Sequence, residues 1–386
     1  MKTVAAHLEI TPEKRDLEWI KSMLQIAIEL EHSTLPLYLS SMFSHKVQNY
    51  PSYNLFRSIV MEEMVHMAIA CNILAAIGGT PKIKNLNPAF PRNGLPGNAE
   101  PDVEAVIAKF SKLQLQNFLR IEMPGILLPD QYKDEKYPTI AKLYTAIEDA
   151  IKANADEVRA AMKKGGTSNQ VGDDIGFTTI TYVEGEDPLL QIYAGIEEII
   201  EQGEGTPSGN LHAGPTSQGE ASHYCRFAEI FYGHQYQEPN PKVPLNKETV
   251  AAYFKGYSVA FPEVVNTLFV PSDGYAKILE LDPKATDVKK HLIGFDTAYT
   301  NIMDDLELMW NGPQDQSWPN FGKAVGTMSE MRVLSCFYIM QLQIPEDIID
   351  KLETLYPEEF ELIKKYTDLD QPVFYGPRFF NLNVQK

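Results

Sequence analysis

At 386 residues the chain is long enough for two or three average domains, or for one large helical body with additions, and 44% hydrophobic content allows a sizeable core. Its 52 acidic against 34 basic residues give a net charge of −18, which repels phosphate backbones and anionic lipid surfaces and argues against nucleic acid or a membrane as partner. Cys71, Cys225 and Cys336 are far apart and odd in number, the N-terminus lacks a signal-peptide core, and no run of 18 apolar residues occurs; these point to a cytoplasmic protein with no membrane span.

In chain order, Thr11-Pro12-Glu13 reads as an N-cap, a first-turn proline and an acid at the positive helix end. It opens a first helical pattern through Leu17, Ile20, Met23, Ala27, Leu30 and Thr34 to about residue 45, with a kink expected at Pro36. A second helix spans about 52–77 and stops hard at Gly78-Gly79-Thr80-Pro81. Residues 82–101 are rich in Asn, Pro and Gly and read as a long surface crossover. Helices follow at about 102–120 and 139–163, then an insertion at 165–187 with a strand-like run at 177–183. A third bundle helix occupies about 188–204 and a fourth starts near Ser217. After the proline-rich break at 238–244, the last third reads as helices at about 247–269, 284–311, 320–342 and 345–365, followed by an aromatic tail without helical period. The division is therefore 1–237, a bundle with inserted helices, and 238–386, a helical extension packed on it.

Glu-x-x-His occurs at Glu63/His66 and Glu220/His223, each within an apolar helical pattern, and again at Glu29/His32. Residues three apart lie on one helix face, so such a pair can grip one ion. In four-helix bundles that hold two metal ions in carboxylates, two helices give one Glu each and two give Glu-x-x-His. Glu31 lies at the edge of the apolar face of the first helix, whereas Glu29 points away and His32 lies almost opposite, which makes Glu29/His32 a surface pair. On the third bundle helix Glu204 is closest to the apolar stripe, with Glu201 as the alternative. Any one of these acids is ordinarily a solvated residue. Arranged as Glu31, Glu63, His66, Glu204 or Glu201, Glu220 and His223 they point to a site for two divalent ions, because buried carboxylates without cations repel one another. Glu62 reads equally as a surface acid or as a partner orienting an imidazole, and Glu229 as another such partner. Tyr38, Tyr193 and Tyr224 read as core packing, and Asp304, Asp305 and Glu307 as structural. Neither a phosphate loop nor a nucleophile elbow is present.

The segments Ala27-Ile-Glu-Leu-Glu-His-Ser-Thr-Leu-Pro-Leu-Tyr38, Glu62-Glu-Met-Val-His66, Glu201-Gln-Gly-Glu-Gly205 and Gly219-Glu-Ala-Ser-His-Tyr-Cys-Arg-Phe-Ala-Glu-Ile230 resemble the ferritin-like domain of the iminophenyl-pyruvate dimer synthase family of violacein and rebeccamycin biosynthesis. The resemblance covers about residues 15–235 and, through Ala324 to Met328, extends weakly beyond. It implies an all-α, ferritin-like four-helix bundle with a long crossover insertion, an added helical C-terminal region, and a di-iron carboxylate centre on the acids and histidines named above. The functional expectation is an O2-dependent oxidoreductase of specialised metabolism with iron, or manganese, as cofactor and a small organic molecule as substrate. The alternatives are a metal-binding or storage protein without turnover and a metal-free helical interaction protein, with a homo-oligomer left open.

Overall fold

The computed structural model describes residues 3–48, 50–132, 138–165, 170–172, 179–203, 211 and 221–384. The fold is all-α. A short helix α1 (Val4–Leu8) leads into α2 (Leu17–Phe43), whose N-cap is not Thr11 but Asp16, its carboxylate accepting from Trp19 N. Thr11-Pro12-Glu13 instead begins a separate 3-10 turn at Pro12–Lys14. α2 continues through Pro36, and α3 (Pro51–Ala76) starts with proline at its first position and ends before Gly78, which takes φ 77° and so needs glycine.

α2 and α3 form the central hairpin. The crossover after α3 carries a two-residue ladder, β1 (Arg92–Asn93) against β2 (Glu104–Ala105), so the helix expected from residue 102 begins only at α4 (Lys112–Ile121), capped by Ser111. The expected 139–163 helix is two, α5 (Ile140–Ala153) and α6 (Ala155–Gly165), divided at Asn154. Part of the expected strand lies outside the described residues, and 179–183 form no strand. α7 (Leu189–Gly203) and α8 (His223–Tyr232) complete the bundle, with α5 on α2, α7 on α3, and α4 on α8. α3 is long and apolar enough to cross a membrane, but 78% of its most apolar window is buried within the fold, as in a core helix.

The C-terminal third departs most from its pattern. The expected helix at 247–269 is a 3-10 turn (Val250–Tyr253) and a strand β4 (Phe254–Ser258), which pairs with β3 (His234–Tyr236) at the end of α8. After α9 (Ala276–Leu281) come α10 (Ala285–Asn311) and α11 (Ser317–Phe337), a long helical hairpin. The stretch 345–365 breaks into α12 (Glu346–Ile349), α13 (Leu352–Leu355) and α14 (Phe360–Tyr366). Local apolar spacing there serves packing of short pieces rather than one continuous helix.

α10 covers the outer side of the α2–α3 hairpin, and this corrects the surface reading of His32. That imidazole is buried, with Nε2 2.8 Å from the hydroxyl of Tyr299 on α10, and Trp310 Nε1 donates to Asn72 Oδ1 of α3 at 2.9 Å. The aromatic tail then straps α10 to the crossover. Arg378 Nε donates to the buried Asp296 at 2.8 Å, while Asn381 Nδ2 donates to the carbonyls of Lys84 and Leu86. Glu307 of α10 accepts from the backbone N–H groups of Ile83 and Lys84, as its structural reading requires.

Asp296→Ala leaves the Arg378 guanidinium without its buried partner and lowers unfolding free energy by about 3–5 kcal/mol in denaturant titration. His45, whose Nε2 is 3.0 Å from Ser52 Oγ and Nδ1 3.1 Å from Ser41 O, has its pKa lowered by burial from 6.5 to about 4. The unfolded chain then binds a proton that the folded chain refuses, so stability is present above pH 6.5 and is lost as pH falls toward 4. This contributes about 1.4 kcal/mol per pH unit, and His45→Gln should flatten the measured slope by that amount.

Candidate metal centre

Five buried side chains from four helical elements converge in the bundle. Glu31 comes from α2, Glu63 and His66 lie one turn apart on α3, His223 is the first residue of α8, and Glu122 caps the C-terminus of α4. His223 Nδ1 lies 2.8 Å from Glu63 Oε1 and 3.5 Å from Glu122 Oε2. His66 Nδ1 lies 3.8 Å from Glu31 Oε2 and 3.9 Å from Glu63 Oε1. The two imidazole rings stack with centroids 5.3 Å apart.

The opposite ring nitrogens assign the tautomers. His66 Nε2 is 2.8 Å from Gln202 Oε1, and the Gln202 amide is turned that way because its Nε2 donates to Glu198. His223 Nε2 is 3.0 Å from Glu62 Oε2. Both Nε2 atoms therefore carry a proton, and both Nδ1 atoms face the carboxylates, that of the neutral His66 as a lone pair. Arg226, one turn along α8, fixes Glu62 by pairing with both of its oxygens and anchors itself on Ser58 Oγ and Ala221 O. Glu62 thus orients an imidazole, the second of its two sequence readings.

Tyrosines hold the carboxylates. Tyr144 on α5 donates to Glu31 Oε1 at 2.6 Å, and Tyr38 on α2 donates to Glu122 Oε1 at 2.5 Å, its ring edge-on to Phe118 and Phe227. Thr34 Oγ1 lies 2.6 Å from Glu63 Oε2. Tyr38 is therefore a polar part of the cluster as well as a core residue. Tyr193 instead packs beside Lys152, and neither Tyr193 nor Tyr224 borders the cavity next to the carboxylates. That cavity encloses about 30 Å³, with an apolar rim that includes Ile121, Ile140, Ile199 and Ile200. This is room for a diatomic molecule or a water or two. Gly203 closes one side, where an added Cβ would lie 3.3 Å from Glu122 Oε2.

Electrostatics mark the cluster as strained without cations. Burial, then the neighbouring Glu63 and Glu122, raise the Glu31 pKa well above the carboxylate range, and burial followed by Glu122 raises that of Glu63. Burial lowers His66 to about 4, leaving a neutral imidazole ready to ligate. Burial alone would lower His223 too, but Glu122, Glu62 and Glu63 outweigh it and raise its pKa well above the usual value. Glu62 goes the other way, to about 2, because His223 and Arg226 outweigh its own burial.

The donor set suits a divalent metal. One ligand atom each from Glu63, His66 and His223 lies within 4.8 Å of the others. His223 Nδ1 is buried without a hydrogen-bond partner although it sits 2.8 Å from a carboxylate oxygen, the relation of two ligands that share an ion. Oxygen and imidazole donors fit iron, manganese or zinc.

The structure brings together Glu31, Glu63, His66 and His223 of the residues singled out in the sequence. Glu204 and Glu220 lie outside the described residues. α8 begins at His223 with Ser222 as its N-cap. Glu201 is buried on α7 but does not border the cavity. Glu229 accepts from Tyr236 N at 2.8 Å and ties α8 to β3 instead of reaching the centre. Glu122 escapes the Glu-x-x-His pattern, yet it follows Leu115 and Phe118 at helical spacing, and that periodicity is the signal that marks it as inward. Replacing Glu62 by Gln should weaken divalent-metal affinity by about ten- to a hundredfold in a competitive titration while the fold persists.

A family described as Ferritin-like has a model that matches residues 24–232. Among solved structures, a ferritin-like protein from Caulobacter vibrioides superposes with a TM-score of 0.54 at 20% identity, over 83% of this chain and 95% of that one. No relative of curated function matches the chain.

Proposed function

The chain belongs to the ferritin-like family, and from that premise we propose that it is a non-haem di-metal protein, iron first and manganese second, that oxidises a small organic substrate with O2. The observation that carries this reading is the pair of imidazole Nδ1 atoms directed at Glu31, Glu63 and Glu122, one of them without a hydrogen bond. Glu31, Glu63, Glu122, His66 and His223 are the residues that would hold the ions, and either Glu201, Glu204 or Glu220 would add a further carboxylate. A bound redox-active ion supplies electron exchange with O2.

The chain's own residues supply the setting. Tyr144 and Tyr38 donate hydrogen bonds to Glu31 and Glu122, so each carboxylate keeps its orientation. The isoleucine rim and the small cavity exclude bulk water from the carboxylates. The resemblance to the iminophenyl-pyruvate dimer synthases supports a setting in specialised metabolism. The same reading makes 1–237 the metal-binding unit and 238–386 an extension whose α10 backs the α2–α3 hairpin.

The competing reading is metal storage without turnover. Elemental analysis and O2 uptake separate these outcomes. The wild-type protein should hold close to two iron or manganese ions per chain and consume O2 in the presence of a reductant, and Glu63→Ala combined with His66→Ala should lose both. Full metal content in the double variant would falsify the site, and metal without O2 uptake would favour storage.

A further inference from the structure

α11 is apolar on both of its sides. Asn320, Ala324, Met331 and Ser335 form the stripe buried towards the molecule, yet at 100° per residue the opposite side carries Gly322, Gly326, Val333 and Phe337, with Trp318 at its edge and Ser329 as its one polar residue. Trp318 is 56% exposed, Val333 39% and Phe337 60%. An added Cβ on Gly322 or Gly326 meets no atom within 4 Å, so a shallow groove runs along the middle of this face. A helix with apolar residues all round is a buried helix, and large contiguous exposed apolar surface marks an interaction site.

We propose that this face is the self-association surface of the protein, packed antiparallel on α11 of a second copy about a two-fold axis passing between Gly326 and Thr327. Charge selects the occupant and the register. Among residues 317–337 only Lys323, Glu330 and Arg332 are charged; Arg332 Nη1 is engaged with Gln48 Oε1 at 3.1 Å, and Lys323 Nζ donates within its own helix to Asn320 Oδ1 at 3.3 Å. Lys323 and Glu330 share one flank of the outward face and stand equally far on either side of the proposed axis. A two-fold operation that reverses the helix keeps each residue on its flank, so Lys323 of each copy meets Glu330 of the other and the pairing occurs twice. A parallel two-fold would send the partner's copy of this flank to the opposite side of the seam and form neither pair. In the antiparallel register Val333 of one copy falls level with position 320 of the other, between Trp318 and Gly322 on the outward face, and Trp318 falls level with Ser335. The glycines allow the two backbones to approach closely, as small residues do wherever helices pack tightly.

Sedimentation equilibrium of the full chain tests this. The wild-type protein should have about twice the 43.5 kDa chain mass at micromolar concentration. Gly326→Gln, which meets open space in the folded chain and favours the helix, should leave the circular dichroism and melting curve intact while raising the dissociation constant at least about tenfold. Lys323→Glu and Glu330→Lys should each weaken the dimer by about the same factor, and their combination should restore it. A monomeric wild-type protein, a dimer indifferent to Gly326→Gln, or a charge-swapped double variant that fails to recover would each overturn the proposal.

Discussion

Three carboxylates and two imidazoles are taken out of water at the centre of an apolar bundle, and the surrounding structure answers the cost of that burial. Ionised acids placed this close in low dielectric repel strongly, which is why burial and mutual proximity push Glu31 and Glu63 towards their protonated forms. Divalent cations reverse the preference by supplying the opposite charge. The hydrogen bonds from Tyr144, Tyr38 and the neighbouring Thr34 hydroxyl leave each acid with an oxygen turned inward, so the cluster is organised around a point that the protein atoms themselves do not fill.

The orientation of the imidazoles comes from a second layer. Gln202 on α7 and the Glu62–Arg226 pair between α3 and α8 each take one ring nitrogen, and this decides which nitrogen is left for the centre. Such partners commonly matter to a metal site almost as much as its ligands. Each also joins two bundle helices, so the geometry of the site and the packing of the bundle depend on the same contacts. The C-terminal third contributes from behind: Tyr299 of α10 takes the buried His32 of α2, one residue on from Glu31.

Much of the centre was legible in the linear chain. Glu63 and His66 share a face because α3 is one regular helix with a proline at its start and a glycine past its end, all of them local signals. Glu31 was legible for the same reason. His32 was misread because the apolar stripe of an isolated helix reveals one buried face, and a second layer on the other side leaves only a weak trace in polar residues that find partners, as His32 does in Tyr299. The expected helix at 247–269 failed similarly, since its apolar spacing suits either a helix or the turn and strand that pair with β3.

By itself the sequence determined the all-α class, the two central helices and the half of the site that they carry, because helical periodicity and capping are written in residues a few positions apart. Only the tertiary structure decided the other half. His223 is marked in the sequence by its Glu-x-x-His spacing, but its place beside Glu63, and that of Glu122 at the very end of α4, is set by how the helices pack. They meet Glu63 because α4 packs on α8 and α8 on α3, contacts between residues more than a hundred positions apart that no local pattern encodes.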